Sequence, residues 1–477
     1  MRKTKIICTL GPSSTTYEQI KAMALAGMNV ARINMSHGTY EQHLERINNV
    51  KRVREDLDIP LPILIDLKGP EVRIGTFENG KIEVTAGMPF VFTSSDVVGN
   101  EKQVSITYKH LYKDVKIGDN LLLNDGLLTF RIEDITEGEI HTVAQNDGTL
   151  SDRKSLFAPN CKLNLPFLTD VDKKDLDFAV SVNAEIVAAS FVQDGDCVQQ
   201  IRDYLASQGC KDMVIISKIE SQMGINNIDD IIEKSEGIMV ARGDLGVEVP
   251  YERLPAIQKM LITKSRTKGK FAVTATEMLE SMITKLRPTR AEIVDVAGAV
   301  TDGSSCVMLS AESAVGINPP NTIATMAKIA LEAEKNIDFQ HSYMRNKVEM
   351  LSNTDAISHA TVSASFAIKA KAIVVYTASG LSARMVSRFR PVSPIIAFTQ
   401  NKRVYHQLAT SWGVTPMMCC TFYNTDVMFL HAESTVVNLG VAEKGDNIVI
   451  TAGVPLGKNV GTNLIKVEEI KRNKDDM

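Results

Sequence analysis

The sequence predicts an α/β protein: a TIM (β/α)8 barrel, a small β-barrel domain inserted into it, and a C-terminal α/β domain. Three observations carry this. From Lys5 onward, short β-branched runs alternate with amphipathic helices, the pattern of a parallel sheet with helical crossovers. The rhythm breaks at Lys68-Gly69-Pro70 and returns after Pro166. Three strands before the break and five after it make the eight that close a barrel.

The elements follow in order. Lys5–Leu10 reads as a strand, Tyr17–Ala26 as a helix, Asn29–Ile33 as a strand, Tyr40–Leu57 as a helix and Leu61–Asp66 as a strand. From Glu71 to Leu165 helical periodicity is nearly absent. Turn signals such as Asn79-Gly80, Ala86-Gly87, Asn124-Asp125-Gly126 and Asn146-Asp147-Gly148 separate short runs instead, as in a small all-β barrel. The later units are helix Asp170–Val182, strand Ile186–Ala189, helix Cys197–Ser207, strand Met213–Ser217 and a short helix near Gly224–Ile231. Strand Gly237–Ala241, helix Arg253–Lys268, strand Phe271–Thr276, helix Arg290–Val300, strand Cys306–Leu309 and helix Asn321–Asn336 complete them. A polar stretch, Gln340–Asn353, reads as a linker. Thr354–Lys371, Ala372–Thr377, Ala383–Phe389, Ile395–Thr399, Lys402–Thr410 and Asn447–Thr451 form a further α/β pattern of doubly wound type. The expected domains are 1–69 with 166–340 for the barrel, 70–165 for the insert and 354–477 for the last domain.

Ligands bind at the carboxyl ends of barrel strands, and there the polar residues converge. The second strand ends in Arg32-Ile33-Asn34-Met35-Ser36-His37-Gly38 and the third in Asp66-Leu67-Lys68-Gly69-Pro70-Glu71-Val72-Arg73. The fourth ends in Ser190-Phe191, the fifth gives Lys218 and Glu220, and the sixth Arg242-Gly243-Asp244. The seventh gives Thr276-Glu277 and the eighth Ser310-Ala311-Glu312-Ser313. For any one motif a strand-end ion pair on a solvated loop is the plain alternative, and such pairs are worth little. One mouth ringed by cations, carboxylates and hydroxyls argues against it. Glu220 and Asp244 are hard oxygen ligands suited to Mg²⁺ or Mn²⁺. Arg32, Arg73 and Lys218 offer three cations to an anion such as a phosphoryl group. Phosphoryl transfer rests on positioning and charge neutralisation, so it needs this inventory and no covalent nucleophile. No nucleophile elbow, GxGxxG or Walker P-loop is present, and the eight histidines lack metal-ligand spacing.

The composition narrows the class further. The net charge of −4 gives no basic field for nucleic acid or acidic lipid, and 5% aromatics make no stacking platform. The seven cysteines have neither zinc-knuckle nor redox spacing, which favours a reducing compartment, the cytoplasm. Cys419-Cys420 read as small buried side chains in an apolar run. The run after Met1-Arg2-Lys3-Thr4-Lys5 is too short for a signal peptide, and no apolar run is long enough to span a membrane.

Lys218-Ile219-Glu220 before Ala241-Arg242-Gly243-Asp244-Leu245-Gly246-Val247-Glu248 resembles the pyruvate kinase family. So do Ala31-Arg32-Ile33-Asn34-Met35-Ser36-His37-Gly38, Lys68-Gly69-Pro70-Glu71, Thr274-Ala275-Thr276 and Arg287-Pro288-Thr289-Arg290-Ala291-Glu292. The resemblance covers essentially the whole chain, in the bacterial form without the extra C-terminal extension. It implies transfer of phosphate from phosphoenolpyruvate to ADP, giving pyruvate and ATP, the last step of glycolysis. It implies that Lys218 stabilises the transferring phosphoryl and the nascent enolate, and that Glu220 and Asp244 hold the divalent metal. The backbone of Arg242-Gly243, Asp244 and the Thr276 hydroxyl would position the substrate, and Thr276 would serve the relay that protonates the enolate. Arg32 and Arg73 would clamp phosphate; Arg32, Asn34, His37 and the lid residue Lys154 would meet the nucleotide. Asn34, Ser36, Asp66 and the Leu67 carbonyl would bind potassium. Glu71 stands where potassium-dependent members carry glutamate and independent ones lysine. In the last domain, Thr377-Ala378-Ser379-Gly380-Leu381-Ser382 resembles the family's phosphate-cradling effector loop, with Thr377, Ser379, Gly380 and Ser382 as its contacts. Gly453 and Gly461-Thr462-Asn463 would face the same pocket, for a phosphorylated sugar or nucleotide. A homotetramer is also implied.

Departures from the family pattern spare every proposed metal ligand and Lys218. Glu277 replaces a glutamine, Ala311 a glycine, and Leu381 an often polar or basic residue. A usual aspartate near Ser305 is missing, Gln193 stands where arginine is common, and Lys154–Pro159 differs from the usual lid sequence. They bear on rate, affinity and lid closure. Two other readings use the same carboxylates: another phosphoenolpyruvate- or pyruvate-using metal-dependent TIM-barrel enzyme, and a weak or inactive family-like regulator that binds ligand without turnover.

Overall fold

The computed structural model describes residues 1–159, 161, 163–345, 351–457 and 460–471. Eight parallel strands close a barrel: Lys5–Thr9, Val30–Asn34, Ile63–Asp66, Ile186–Ala189, Val214–Ile219, Gly237–Ala241, Phe271–Ala275 and Cys306–Leu309. The first pairs with the last, Lys5 opposite Cys306. Alternation along each strand decides what the barrel holds. Ile7, Val30, Leu64, Ala188, Ile216, Met239 and Val273 fill the interior as part of one buried cluster. The opposite faces pack under the surrounding helices. Two residues further along, the inward face of strands two, three and five presents Arg32, Asp66 and Lys218, so the core pattern itself delivers the polar mouth. Thr16, Thr39, Thr169 and Thr289 start four of the helices with capping boxes.

After Asp66 the chain leaves the barrel at Gly69, whose φ of +75° suits glycine. A Cβ there would lie 2.7 Å from that of Ser190. The insert is a curled six-stranded sheet, in the order Leu156–Phe157, Asn120–Leu123, Leu128–Thr136, Glu139–Ala144, Pro89–Thr93 and Gln103–Ser105. A two-stranded ribbon, Lys81–Val84 with Gly148–Ser151, accompanies it. Its core includes the mutually packed rings of Phe90, Phe92 and Phe130. One short helix, Leu111–Asp114, interrupts the strands.

The last domain is a five-stranded sheet in the order Val414–Met418, Ile395–Thr399, Ala372–Tyr376, Asn447–Ala452 and Leu464–Glu469, the final strand antiparallel. Buried clusters cover both of its faces. Several expectations need correction. The supposed linker begins as a helix, Phe339–Arg345, and 346–350 lie outside the described residues, as do 160, 162, 458, 459 and 472–477 of the two expected smaller domains. The helix near Gly224–Ile231 is two, Gln222–Asn226 and Ile228–Lys234. Cys420 is exposed and Cys419 half-buried, because they follow the edge strand instead of lying within it. Among the described residues no helix is long and apolar enough to cross a membrane.

The last domain sits on the rim where the barrel strands begin, opposite the mouth. Lys5 Nζ donates to the Val414 carbonyl at 2.6 Å, Arg403 Nη2 to the Ala184 carbonyl at 2.6 Å and Gln407 Nε2 to the Asp212 carbonyl at 2.7 Å. His406 is buried in this contact with neither ring nitrogen partnered. Burial first, then the charges of Arg54 and Lys402, pushes it down to about 3. A histidine depressed in the fold supplies stability at neutral pH that is lost as pH falls below its unfolded value, about 6.5, toward 3. The loss runs at up to about 1.4 kcal/mol per pH unit. His406→Leu is expected to match the wild-type melting temperature at pH 7 and to fall less steeply between pH 6 and 4. Melting temperatures that fall equally in the two proteins would mean that this histidine is protonated in the fold.

Candidate active site

Lys218 is the centre of the mouth. Its Nζ donates to Ser190 Oγ at 2.7 Å and lies 2.9 Å from Glu220 Oε1 and 3.4 Å from Asp66 Oδ1. Burial alone would lower this ammonium, but Asp66 and then Glu220 outweigh it and hold it above its ordinary value. Ser190 Oγ passes on to the Leu67 carbonyl at 2.8 Å, so the support of the lysine is itself anchored. Asp66 also receives Arg32 Nε at 2.6 Å, while Arg32 Nη1 donates to Thr9 Oγ1 at 2.7 Å. Asp66 is 1% exposed; burial would raise its carboxyl, yet Arg32 and Lys218 hold it below the usual range.

Glu220 turns its second oxygen to the Phe191 amide, which donates at 2.6 Å. Phe191 takes φ +56°, an uncommon value for an aromatic residue. Asp244, at the start of helix Arg242–Glu248, is pushed up to about 7 by burial and then by the charge of Glu220. Two acids crowded in one desolvated corner, one of them inclined to keep a proton, suit a divalent cation in that proton's place. Among the described residues no group of three or more His, Cys, Asp or Glu could hold a metal ion.

The Thr276 hydroxyl accepts from the Gly243 amide at 2.9 Å, bringing two expected substrate contacts together. The Arg242 side chain has a different task. Its guanidinium donates to the carbonyls of Ala275 (3.3 Å), Thr276 (2.6 Å) and Glu277 (3.2 Å), and pairs with Asp295 at 2.7 Å. Thr276 and Glu277 both adopt left-handed φ, +68° and +53°. Consecutive non-glycine residues in that region store strain, and Arg242 clasps the strained turn. Glu277 is exposed to solvent.

Arg73 lies where the chain passes from the barrel into the insert. Its Nε donates to Glu71 at 2.8 Å and Nη1 to the Arg153 carbonyl at 2.8 Å, while Ser155 also donates to Glu71. Lys154 lies in the loop beside it, between Gly148–Ser151 and Leu156–Phe157, where Ser155 bridges to Arg73. Asn34 Oδ1 accepts from the Ser36 amide at 3.1 Å; Ser36 and His37 are exposed. Sequence reasoning missed Ser190 as the direct support of Lys218 and the clasp made by Arg242. Ser190's inward position two residues past Ala188 is the signal that could have found the first.

In the last domain a broad open pocket is lined by Thr377, Ser379, Leu381, Ser382, Gly453 and Thr462. Gly380 takes φ +81°, its amide donates to Thr377 Oγ1 at 3.0 Å, and the Ser382 and Thr462 hydroxyls meet at 2.6 Å.

Comparison with known proteins agrees with this architecture. A family model described as pyruvate kinase, barrel domain, matches residues 1–323, and one described as pyruvate kinase, alpha/beta domain, matches 355–468. A pyruvate kinase of Clostridium acetobutylicum is 43% identical over 473 residues, covering 99% of this chain and 100% of the relative. One from Geobacillus stearothermophilus is 42% identical over 472 residues, covering 98% of this chain and 80% of its own. A crystal structure of a pyruvate kinase from Cryptosporidium parvum superposes with a TM-score of 0.94 at 37% identity, covering 98% and 96% of the two chains.

Proposed function

The chain belongs to the pyruvate kinase family, a family of phosphotransferases, and from that premise we propose how its own residues carry the reaction. The substrates are phosphoenolpyruvate and ADP. The observation that carries the reading is Lys218, held between Asp66, Glu220 and Ser190 at the barrel mouth.

An ammonium held above its ordinary value keeps its proton at working pH, so Lys218 acts as a fixed charge and not as a base. It faces the transferring phosphoryl and the enolate oxygen that develops as the phosphoryl leaves. Arg32, oriented by Asp66 and Thr9, adds a second cation from the second barrel strand. Glu220 and Asp244 would hold Mg²⁺ or Mn²⁺, which would supply neutralisation of the charge on the transferring phosphoryl. The Gly243 amide and the Thr276 hydroxyl, 2.9 Å apart, orient the substrate carboxylate, and Thr276 serves the relay that protonates the enolate. Arg73 and Lys154, both in the insert, reach the phosphates when the lid closes over the mouth. Asn34, Ser36, Asp66 and the Leu67 carbonyl would hold potassium near the substrate phosphate, with Asn34 and His37 at the nucleotide side. The Thr377–Ser382 loop binds a phosphorylated effector, and the assembly is a cytoplasmic homotetramer.

A coupled assay for pyruvate with phosphoenolpyruvate, ADP, Mg²⁺ and potassium tests the reaction. No pyruvate under saturating conditions would favour a ligand-binding regulator. With Glu71 at its position, activity is expected to drop when sodium or a large organic cation replaces potassium. An unchanged rate would refute potassium dependence.

A further inference from the structure

The insert is joined to the barrel by two connections, and one buried side chain holds both. The outgoing chain runs from strand Ile63–Asp66 through Leu67-Lys68-Gly69-Pro70. The returning chain runs through Pro166-Phe167-Leu168-Thr169 into helix Asp170–Ser181. Asp172, in the first turn of that helix, accepts from the Gly69 amide at 2.9 Å through Oδ1. Its Oδ2 accepts from the Thr169 amide at 3.1 Å and from the Thr169 hydroxyl at 2.6 Å. The Asp172 amide donates back to Thr169 Oγ1 at 3.1 Å, closing the capping box.

The capping box accounts for one oxygen only. The bond from Gly69 belongs to no helix or strand; it crosses from one connection to the other. Asp172 is 2% exposed, and a buried carboxylate is costly unless its oxygens are bonded. Here both are, each to a different connection. The helix that carries Asp172 is itself fixed. Leu176 and Ala179 are fully buried, and the Tyr40 hydroxyl donates to Asp175 Oδ1 at 2.7 Å.

Gly69 faces the active site on its other side. A Cβ placed on it would meet Ser190 Cβ at 2.7 Å, and both the Ser190 carbonyl and Phe191 Cδ2 at 3.2 Å. Ser190 Oγ accepts from Lys218, and the Phe191 amide donates to Glu220. Gly69 is thus wedged between Asp172 and the two residues that orient the lysine and the glutamate. Leu67, Gly69, Phe167, Leu168, Asp172 and Ser190 surround one small interior space, so both connections and the end of the fourth barrel strand form a single joint.

We propose that Asp172 is a positioning residue for the reaction. By pinning Gly69 to Thr169 it makes the two connections of the insert one pivot, and it keeps Gly69 pressed against Ser190 and Phe191 while the insert moves. Two attachments fixed to each other let a lid turn without sliding, so Arg73 and Lys154 return to the same place at each closure. The inference rests on the phosphoryl transfer proposed for the barrel mouth and on the insert acting as its lid.

In the full-length protein, Asp172→Ala should lower kcat/KM for phosphoenolpyruvate by about 10- to 100-fold, the cost of a small misplacement of positioning groups. Hydrogen-exchange mass spectrometry should find the Gly69 amide exchanging about tenfold faster or more, the protection that a hydrogen bond to a charged group supplies. Thr169→Val is the control. It takes the hydroxyl out of the capping box and leaves Gly69 its acceptor, so the melting temperature should fall while Gly69 stays protected and kcat/KM stays near that of wild type. Asp172→Asn is the conservative variant. Its carbonyl oxygen can accept from Gly69 and its amide can donate to Thr169 Oγ1, so it should keep most of the activity and the Gly69 protection. Should Asp172→Ala fail to fold, Asp172→Ser, too short to reach Gly69, takes its place. The proposal is overturned by a folded Asp172→Ala protein with wild-type kcat/KM or with wild-type exchange at Gly69. It is equally overturned if Asp172→Asn loses as much as Asp172→Ala, or if Thr169→Val does, which would reduce Asp172 to a helix cap. A wild-type protein that makes no pyruvate would remove the reaction instead, and exchange at Gly69 would still decide whether the pin exists.

Discussion

Lys218→Met is expected to reduce kcat by about 10³- to 10⁵-fold, the range lost when a cation that stabilises a transferring phosphoryl is removed. The fold should survive, because the neighbours keep other partners. Asp66 retains Arg32 at 2.6 Å, Glu220 retains the Phe191 amide at 2.6 Å, and Ser190 retains the Leu67 carbonyl at 2.8 Å. Steady-state kinetics with a melting curve on the same sample separate the two effects. Activity within tenfold of wild type, at unchanged melting temperature, would remove Lys218 from the role assigned to it.

Arg242→Met should damage both stability and catalysis. Three carbonyls lose their donor and two left-handed residues lose the clasp that holds them. The expected cost is about 2–4 kcal/mol of stability, from several buried acceptors left unpaired. Thr276 would drift from the Gly243 amide, and a shift of about 1 Å in a positioning group can cost roughly 10²-fold in kcat/KM. Arg242→Lys should recover little, since one ammonium cannot reach contacts that a planar guanidinium makes together. Denaturant unfolding and kcat/KM for phosphoenolpyruvate, measured on both variants, test this. A Lys variant as good as wild type would show that charge alone, not the clasp, is what the site uses.

Much of this was legible in the sequence for a physical reason. The barrel strands are buried on both faces and read as continuous apolar runs, so their number and order were clear, and the residues at their ends could be placed at one mouth. Arg32, Asp66, Lys218, Glu220 and Asp244 do meet there. What escaped was of two kinds. Val414–Met418 carries Pro416, and Leu464–Glu469 is half-exposed at a sheet edge, so neither offers the buried apolar run that marks a strand. The turn at Thr276-Glu277 contains no glycine or asparagine to announce positive φ; the tertiary clasp from Arg242 imposes it. The distinction between the backbone and side-chain tasks of Arg242 likewise depends on which way the guanidinium turns, which spacing does not encode.

Asp66 serves two cations at once, and this sharing sets how the mouth can be filled. Arg32 and Lys218 stand against Asp66, Glu220 and Asp244, two positive groups among three acids. A lone anion entering this arrangement meets cations already engaged and a surplus of acid; a lone dication meets Lys218 lodged beside the acids proposed to hold it. Each ligand relieves what opposes the other. The site is therefore built for synergy, with affinity for either component rising when its counterpart is present.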